Sequence, residues 1–332
     1  MSVDVHAHIF TDGLSKKVPS RFAAQCPQIR YVDGVPVIFV YNMKVAERAL
    51  EGHFSIDKRL RDMDKSGVHT QLLSIVPTTY CYSLEIDAAK AICRAQNDEL
   101  AKIVNEHPGR FYGLAEVPLQ DAEAAAEELE RAVQVNGMVG VQIGANINGM
   151  NLDEPSLLPF FRVAEKLGAP IFIHPDNVPA LDRIPRYNLR NFIGNPLDTT
   201  IAATSLIFGG VLERFPNLKV VLAHGSGFVP YQRGRFARGF KVKEETRLRI
   251  SRPPDDYISR MYFDTVIHFE PALRYMVETC GARRVVMGSD YPAAMGDPEP
   301  VQFVTTSRLK EEEKKLILSE NARELFRLDL KT

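Results

Sequence analysis

Short apolar runs recur along the chain, most of them flanked by turn residues, and longer segments with apolar positions spaced for one helix face separate them. The runs fall at residues 3–9, 69–76, 110–117, 139–143, 170–174, 218–223, 261–264 and 284–288, eight in all. Helices are expected between them at 56–66, 83–107, 120–136, 154–167, 196–215 and 270–279, with a terminal one at 310–326. Runs such as VVLAH are apolar nearly throughout, which suits parallel strands covered by helices. The expected fold is therefore α/β, a (β/α)8 TIM barrel whose functional groups gather at the carboxyl ends of the strands. A doubly wound sheet is the structural alternative, but it does not account for where the polar residues fall.

Three stretches break the alternation. Residues 11–54 are long for a first strand-to-helix connection, and Asp33-Gly34 within them is a hairpin-turn signal. They are expected to form a small insertion after strand one that passes over the barrel mouth, so that 1–332 is a single barrel domain. Residues 174–196 are irregular and follow strand five. The basic stretch 240–257 reads as a solvated loop with a surface helix.

Composition narrows the function classes. The 332 residues are 45% hydrophobic and 25% charged, ample for a large buried core. Lys plus Arg total 41 against 42 Asp plus Glu, a net charge of -1, so no overall field draws in nucleic acid or an anionic membrane. Cys26, Cys81, Cys93 and Cys280 show neither a CxxC pair nor a disulfide framework spacing, as expected in a reducing compartment. No leader-like start and no apolar run near the roughly 20 residues of a membrane span is seen, which makes a cytoplasmic protein the expectation.

The chemistry lies where the strands end. His6 and His8 are two apart on the first strand and so face the same side. His174 closes strand five, His224 closes strand six, and Asp290 follows the apolar run of strand eight. Three imidazoles and a carboxylate suit one divalent zinc ion with an open position, with manganese or cobalt as substitutes. The expected ligands are His6, His8, His174 and Asp290. His224, in AHGSG, is assigned proton transfer, with a ligand role as the alternative. A polar inner layer with histidines satisfied by backbone groups is the bland reading of the same residues. Strand four, VGVQI, has no lysine to bridge a second metal, so the site is expected to be mononuclear.

Glu116, Gln142 and His268 are candidates for orienting groups around the metal or for substrate contacts. Asn177, Arg183, Arg190 and Asn195 sit in or beside the loop after strand five, where an arginine could clamp a substrate carboxylate. Arg59, Asp62 and Asp64 read first as part of an amphipathic helix feeding strand two.

Taken together, DVHAHIF, RLRDMDKSGV, GLAEVPLQ, GVQIG, IFIHP, AHGSG and MGSDYP resemble the amidohydrolase superfamily, in its branch named for aminocarboxymuconate-semialdehyde (ACMS) decarboxylase. The segments span nearly the whole chain. The resemblance implies a metal held by His6, His8, His174 and Asp290, acid–base chemistry at His224, nonoxidative decarboxylation and a homodimer. In the hairpin where that branch has a substrate-binding arginine this chain reads VPVIFV, and Asp176 stands where the branch has a tryptophan. The implied substrate is a small aromatic or conjugated dienoic carboxylic acid, with His224 and Asp290 as the catalytic pair. Metal-assisted hydrolysis of an amide, lactone or activated carbon–carbon bond is the enzymatic alternative. A nonenzymatic metal-binding protein is the rival from another class.

Overall fold

Along the first strand the polar and apolar residues are equally hidden: Val3, Val5 and Ile9 are buried, and so are Asp4, His6 and His8 between them. A strand without a solvent face must be covered on both sides, and in the computed structural model, which describes residues 1–41 and 43–330, it is. Val3–Ile9 (β1), Thr70–Ile75 (β2), Phe111–Ala115 (β3), Gly140–Gly144 (β4), Ile171–His174 (β5), Val220–Leu222 (β6), Tyr262–Asp264 (β7) and Val285–Val286 (β8) pair in parallel in chain order. The sheet curls until β1 meets the far end: Val5 N donates to Met287 O (2.9 Å), Asp290 N to His6 O (2.8 Å) and His8 N to Tyr291 O (2.7 Å). All eight expected strands are present, each within a few residues of its expected limits, in a nearly closed TIM barrel.

Helices Ile56–Ser66 (α1), Ile86–Glu106 (α2), Ala122–Gln134 (α3), Leu158–Leu167 (α4), Asn195–Phe208 (α5), Val229–Val242 (α6) and Glu270–Cys280 (α7) surround the barrel, and Asn321–Phe326 (α8) ends it. Ser55 caps α1 by accepting from Lys58 N, and Gly67, at φ 74°, lets the chain turn out of the helix into β2. The main core lies between strands and helices, where Phe160, Phe161, Leu206 and Leu273 pack on Ile143, Ile173 and Leu222. A second cluster fills the barrel: Val3, Val5, Leu72, Leu114, Phe172, Val221 and Val286, closed from below by Ala322, Leu325 and Phe326 of α8. Polar groups are thereby confined to the opposite end.

Some expectations need correcting. The helix expected over 196–215 stops at Phe208 and resumes as Val211–Arg214, because the chain turns at Gly209-Gly210, where a Cβ on Gly209 would collide with Asp153. Residues 240–257 carry a loop and a short helix, Pro254–Ile258, as expected, but the helix ahead of them, α6, is an addition to the expected elements. The Asp33-Gly34 hairpin is as expected, joining Gln28–Val32 to Val35–Val40 with φ of 50° and 77° at the turn, but a third antiparallel strand, Met43–Arg48, follows it. Among the described residues no helix is long and apolar enough to cross a membrane.

Candidate metal centre

The strand ends bring five of the sequence candidates together. His6 Nε2 lies 3.1 Å from His8 Nε2 and 3.2 Å from Asp290 Oδ1, and His8 Nε2 lies 3.1 Å from the same oxygen. Potential ligand atoms of His6, His174, His224 and Asp290 all fall within 4.8 Å of one another. The His6 and His174 ring centres are 5.1 Å apart, those of His174 and His224 5.0 Å.

The outer nitrogens show what the inner ones can do. His6 Nδ1 faces Asp264 Oδ2 at 2.6 Å, and His174 Nδ1 faces the carbonyl of Pro175 at 2.8 Å. Both partners can only accept, so each Nδ1 carries the proton and each Nε2 turns a lone pair to the centre. His8 Nδ1 faces Ser74 Oγ at 3.1 Å, and that hydroxyl donates onward to Ala7 O, which fixes the same tautomer. His174 Nε2 is buried without a hydrogen-bond partner. Three imidazole lone pairs and a carboxylate oxygen converging inside a protein, each imidazole oriented by an outer partner, fit a divalent cation. His224 differs: its Nδ1 has no partner, its Nε2 is 3.5 Å from Asp290 Oδ2, and nothing fixes its tautomer.

The electrostatics follow from crowding these groups in a dry place. Burial lowers His8, and burial together with the neighbouring imidazoles holds His174 well below the ordinary histidine value, so both stay neutral. At His6 burial works the same way but is outweighed by Asp290 and Asp264, which raise it to about 10, so a cation at the centre would take the place of the proton that Asp290 favours on its Nε2. Asp290 stays ionised because the imidazoles of His6, His224 and His8 outweigh its own burial.

Residues outside the cluster hold it in place. Asp264 accepts from His6 and, through Oδ1, from Gly225 N (2.8 Å) and Val266 N (3.1 Å), tying β7 to β1 and to the turn that carries His224. Asp4 accepts from Ser289 Oγ (2.5 Å), Gln71 Nε2 (2.9 Å) and His6 N (3.1 Å). Arg59, fully buried, donates to Gln71 Oε1 (3.0 Å), Gly52 O (2.8 Å) and His8 O. Asp62 accepts from Tyr291 Oη, whereas Asp64 is an exposed partner of Arg110.

A cavity of about 470 Å3 opens above the cluster, lined by His8, His174, His224 and Asp290, by Leu50 and His53 from the insertion, and by Thr78, Asp176, Asn188, Arg190, Asn191 and Asn195. Larger hollows of about 800 and 650 Å3 lie elsewhere, the first against Thr70 and Arg110 at the opposite end of the strands, and neither contains the histidine cluster. Arg190 donates to Asp176 O at 2.6 Å beside the cavity. The remaining candidates do not line it. Glu116 is buried at the end of β3 with neither carboxyl oxygen hydrogen-bonded, and burial raises it well above the carboxylate range. Gln142 donates from Nε2 to Ile75 O (3.0 Å), Asn177 and Arg183 are exposed on their loop, and His268 is exposed beyond β7.

A family model described as amidohydrolase matches residues 3–328. The chain belongs to the amidohydrolase family. Within that family it falls in the decarboxylase branch related to the ACMS and γ-resorcylate enzymes. It is 39% identical over 276 residues to the 2-amino-3-carboxymuconate-6-semialdehyde decarboxylase of Dictyostelium discoideum, covering 82% of this chain and 77% of that one. It is 31% identical to the γ-resorcylate decarboxylase of Polaromonas sp., covering 82% and 87%. A dihydroxybenzoic acid decarboxylase of Polaromonas sp., solved with manganese and the inhibitor 2-nitroresorcinol, superimposes with a TM-score of 0.78 at 24% identity over 99% of this chain and 97% of that one. As an amidohydrolase the chain presents its polar cluster where the barrel predicts, at the carboxyl ends of the strands.

Proposed function

We propose that the protein is a metal-dependent nonoxidative decarboxylase of an aromatic or conjugated carboxylic acid, with His6, His8, His174 and Asp290 as metal ligands and His224 as the proton donor. The observation that carries this reading is the set of three Nε2 lone pairs, each fixed by an Nδ1 donor bond, directed at Asp290 beneath a cavity of substrate size. A divalent ion held there would polarise the substrate's oxygens and stabilise the negative charge that builds as the carboxylate leaves.

The chain's own groups supply the rest. The bond between the carboxylate and its carbon breaks, the electron pair stays on the carbon, and a proton from His224 Nε2 joins it, so one proton is consumed for each carbon dioxide released. Asp290 Oδ2 faces the same ring nitrogen at 3.5 Å. Arg190, at the cavity wall, is the arginine placed to meet an anionic substrate; Arg183 is turned to solvent.

The same reading takes one ion per chain, with zinc suited to the nitrogen-rich donor set and manganese as the other candidate. It treats the chain as one barrel domain whose insertion, through Leu50 and His53, completes the cavity. It takes the protein as a cytoplasmic homodimer. Exposed Tyr187, Phe192, Phe228, Tyr231 and Phe269, on the loops and helix starts that follow β5, β6 and β7, support the dimer.

The test is incubation of metal-quantified protein with a panel of aromatic and conjugated carboxylates, following substrate and carbon dioxide together by mass spectrometry. Metal-dependent release of carbon dioxide supports the reading; a cleaved or hydrated product formed without it would replace decarboxylation by hydrolysis or hydration.

A further inference from the structure

One imidazole at the cavity has so far only a place in its wall. His53 sits at the end of the insertion, is 6% exposed and lines the cavity with His8 and Asp290. Its turn is pinned on every side: His53 N donates to Leu50 O (2.9 Å), His53 O accepts from Phe10 N at the end of β1 (2.7 Å), and the adjacent Gly52 O accepts from the buried Arg59 (2.8 Å). Gly52 is required there because a Cβ would collide with the Tyr291 side chain.

The ring's hydrogen bond settles its chemistry. Leu50 N donates to His53 Nδ1 at 3.0 Å. A nitrogen that accepts an amide hydrogen carries no proton of its own, so in the neutral ring the proton is on Nε2. Among the described residues Nε2 has no hydrogen-bond partner, and a protonated Nε2 cannot ligate a metal. The turn itself needs only the acceptor, which serine, threonine or asparagine would supply. An N–H donor on a pinned turn is thus left over beside the metal cluster.

We propose that His53 is a substrate-binding residue of this centre, its Nε2–H donating to an anionic oxygen of the substrate on the side of the cavity shared with His8 and Asp290. The proposal rests on the decarboxylase reading. Burial, helped by the guanidinium of Arg59 and opposed by Asp290, lowers His53 to about 4, so the ring enters the complex as a neutral donor. A preorganised donor of this kind costs no reorganisation when the ligand arrives.

Two measurements test it. In long-range proton–nitrogen spectra of zinc-loaded protein with nitrogen-15 histidine, His53 is expected as the Nε2–H tautomer, and its signals should shift on addition of 2-nitroresorcinol; a protonated Nδ1, or signals that do not respond, would overturn the assignment. His53→Thr keeps an acceptor for Leu50 N but no donor long enough for the cavity, whereas His53→Asn keeps a short amide donor. With a carboxylate that the wild type decarboxylates, KM should rise about 10- to 100-fold in His53→Thr, the range for a hydrogen bond to a charged group, and recover in part in His53→Asn, at equal metal content. An unchanged KM in His53→Thr alongside wild-type turnover would remove His53 from the site and leave the decarboxylase reading standing. Absence of carbon dioxide from the wild type would remove that reading and this proposal together.

Discussion

Replacing Asp264 by asparagine separates holding the metal from holding the fold. Oδ1 of Asp264 takes two amide hydrogens, from Gly225 and Val266, while Oδ2 takes the His6 Nδ1 proton at 2.6 Å, with both side chains fully buried. In Asp264→Asn the two backbone donors keep the carbonyl oxygen where Oδ1 was, so the amide NH2 must face His6. His6 then either retains Nδ1–H against another donor or moves its proton to Nε2 and loses the lone pair that meets the metal. The first course forfeits a charge-assisted hydrogen bond of about 1.5–3 kcal/mol, and either one should weaken metal affinity about 10- to 100-fold. The assay is competition for zinc between the metal-free protein and a chromophoric chelator, with circular-dichroism melting as the control for folding. A variant that still melts cooperatively, a few degrees below the wild type, but binds zinc tenfold or more weakly is the expected result. Zinc affinity within about threefold of wild type would refute the argument that Asp264 sets the His6 tautomer.

Four further outcomes follow from the same structure. His224→Ala should retain its metal while turnover falls about 10²- to 10⁴-fold, the range for loss of a general acid; loss of metal from the folded variant would make His224 a ligand instead. His174→Ala should lose both metal and turnover, and full occupancy by elemental analysis would exclude it as a ligand. Arg59→Met leaves the acceptors Gln71 Oε1, Gly52 O and His8 O without their buried donor and should cost about 3–5 kcal/mol in urea unfolding, with a loss below about 1 kcal/mol contradicting the role given to it. Asp198 is raised from 3.8 to about 6 by burial and Asp176, against the bond from Asn146. Because the folded state holds this proton more tightly than the unfolded chain, the contribution to stability is greatest below pH 4 and is lost as pH rises through about 6. Asp198→Asn should therefore be more stable than wild type at pH 8, by on the order of 2 kcal/mol, and equal to it near pH 4; no gain at pH 8 would contradict the shift.

What could be read from the sequence depended on whether the signal was local. The strands of a parallel barrel are buried on both faces, so each shows as an apolar run, and His174, His224 and Asp290 stood out because each closes or follows one. His6 and His8 stood out by their spacing, and the same alternation extends back to Asp4, a signal available in DVHAH but not used. Asp264 carried a similar mark at the end of YFD, without the second polar residue that drew attention to β1. Arg59 looked like one cation of an amphipathic helix; its burial depends on acceptors from β2, from the end of β1 and from the insertion, which meet only in the fold. His53 lies in a segment with no periodicity, and only the return of the insertion to Phe10 brings it to the cavity. Arg183, Asn177 and His268 lie after the right strands, but a loop's position in sequence does not decide which side chain reaches the cavity, and of the two candidate arginines Arg190 lines it and Arg183 does not.

The central claim is that one metal in the histidine–aspartate cluster drives release of carbon dioxide. Its most direct test is to titrate the metal-free protein with zinc or manganese and measure carbon dioxide and substrate loss at each addition. The account predicts no turnover without metal, a rise to a plateau at about one ion per chain, and one carbon dioxide for each substrate consumed. Turnover independent of metal, or substrate lost without carbon dioxide, would contradict it.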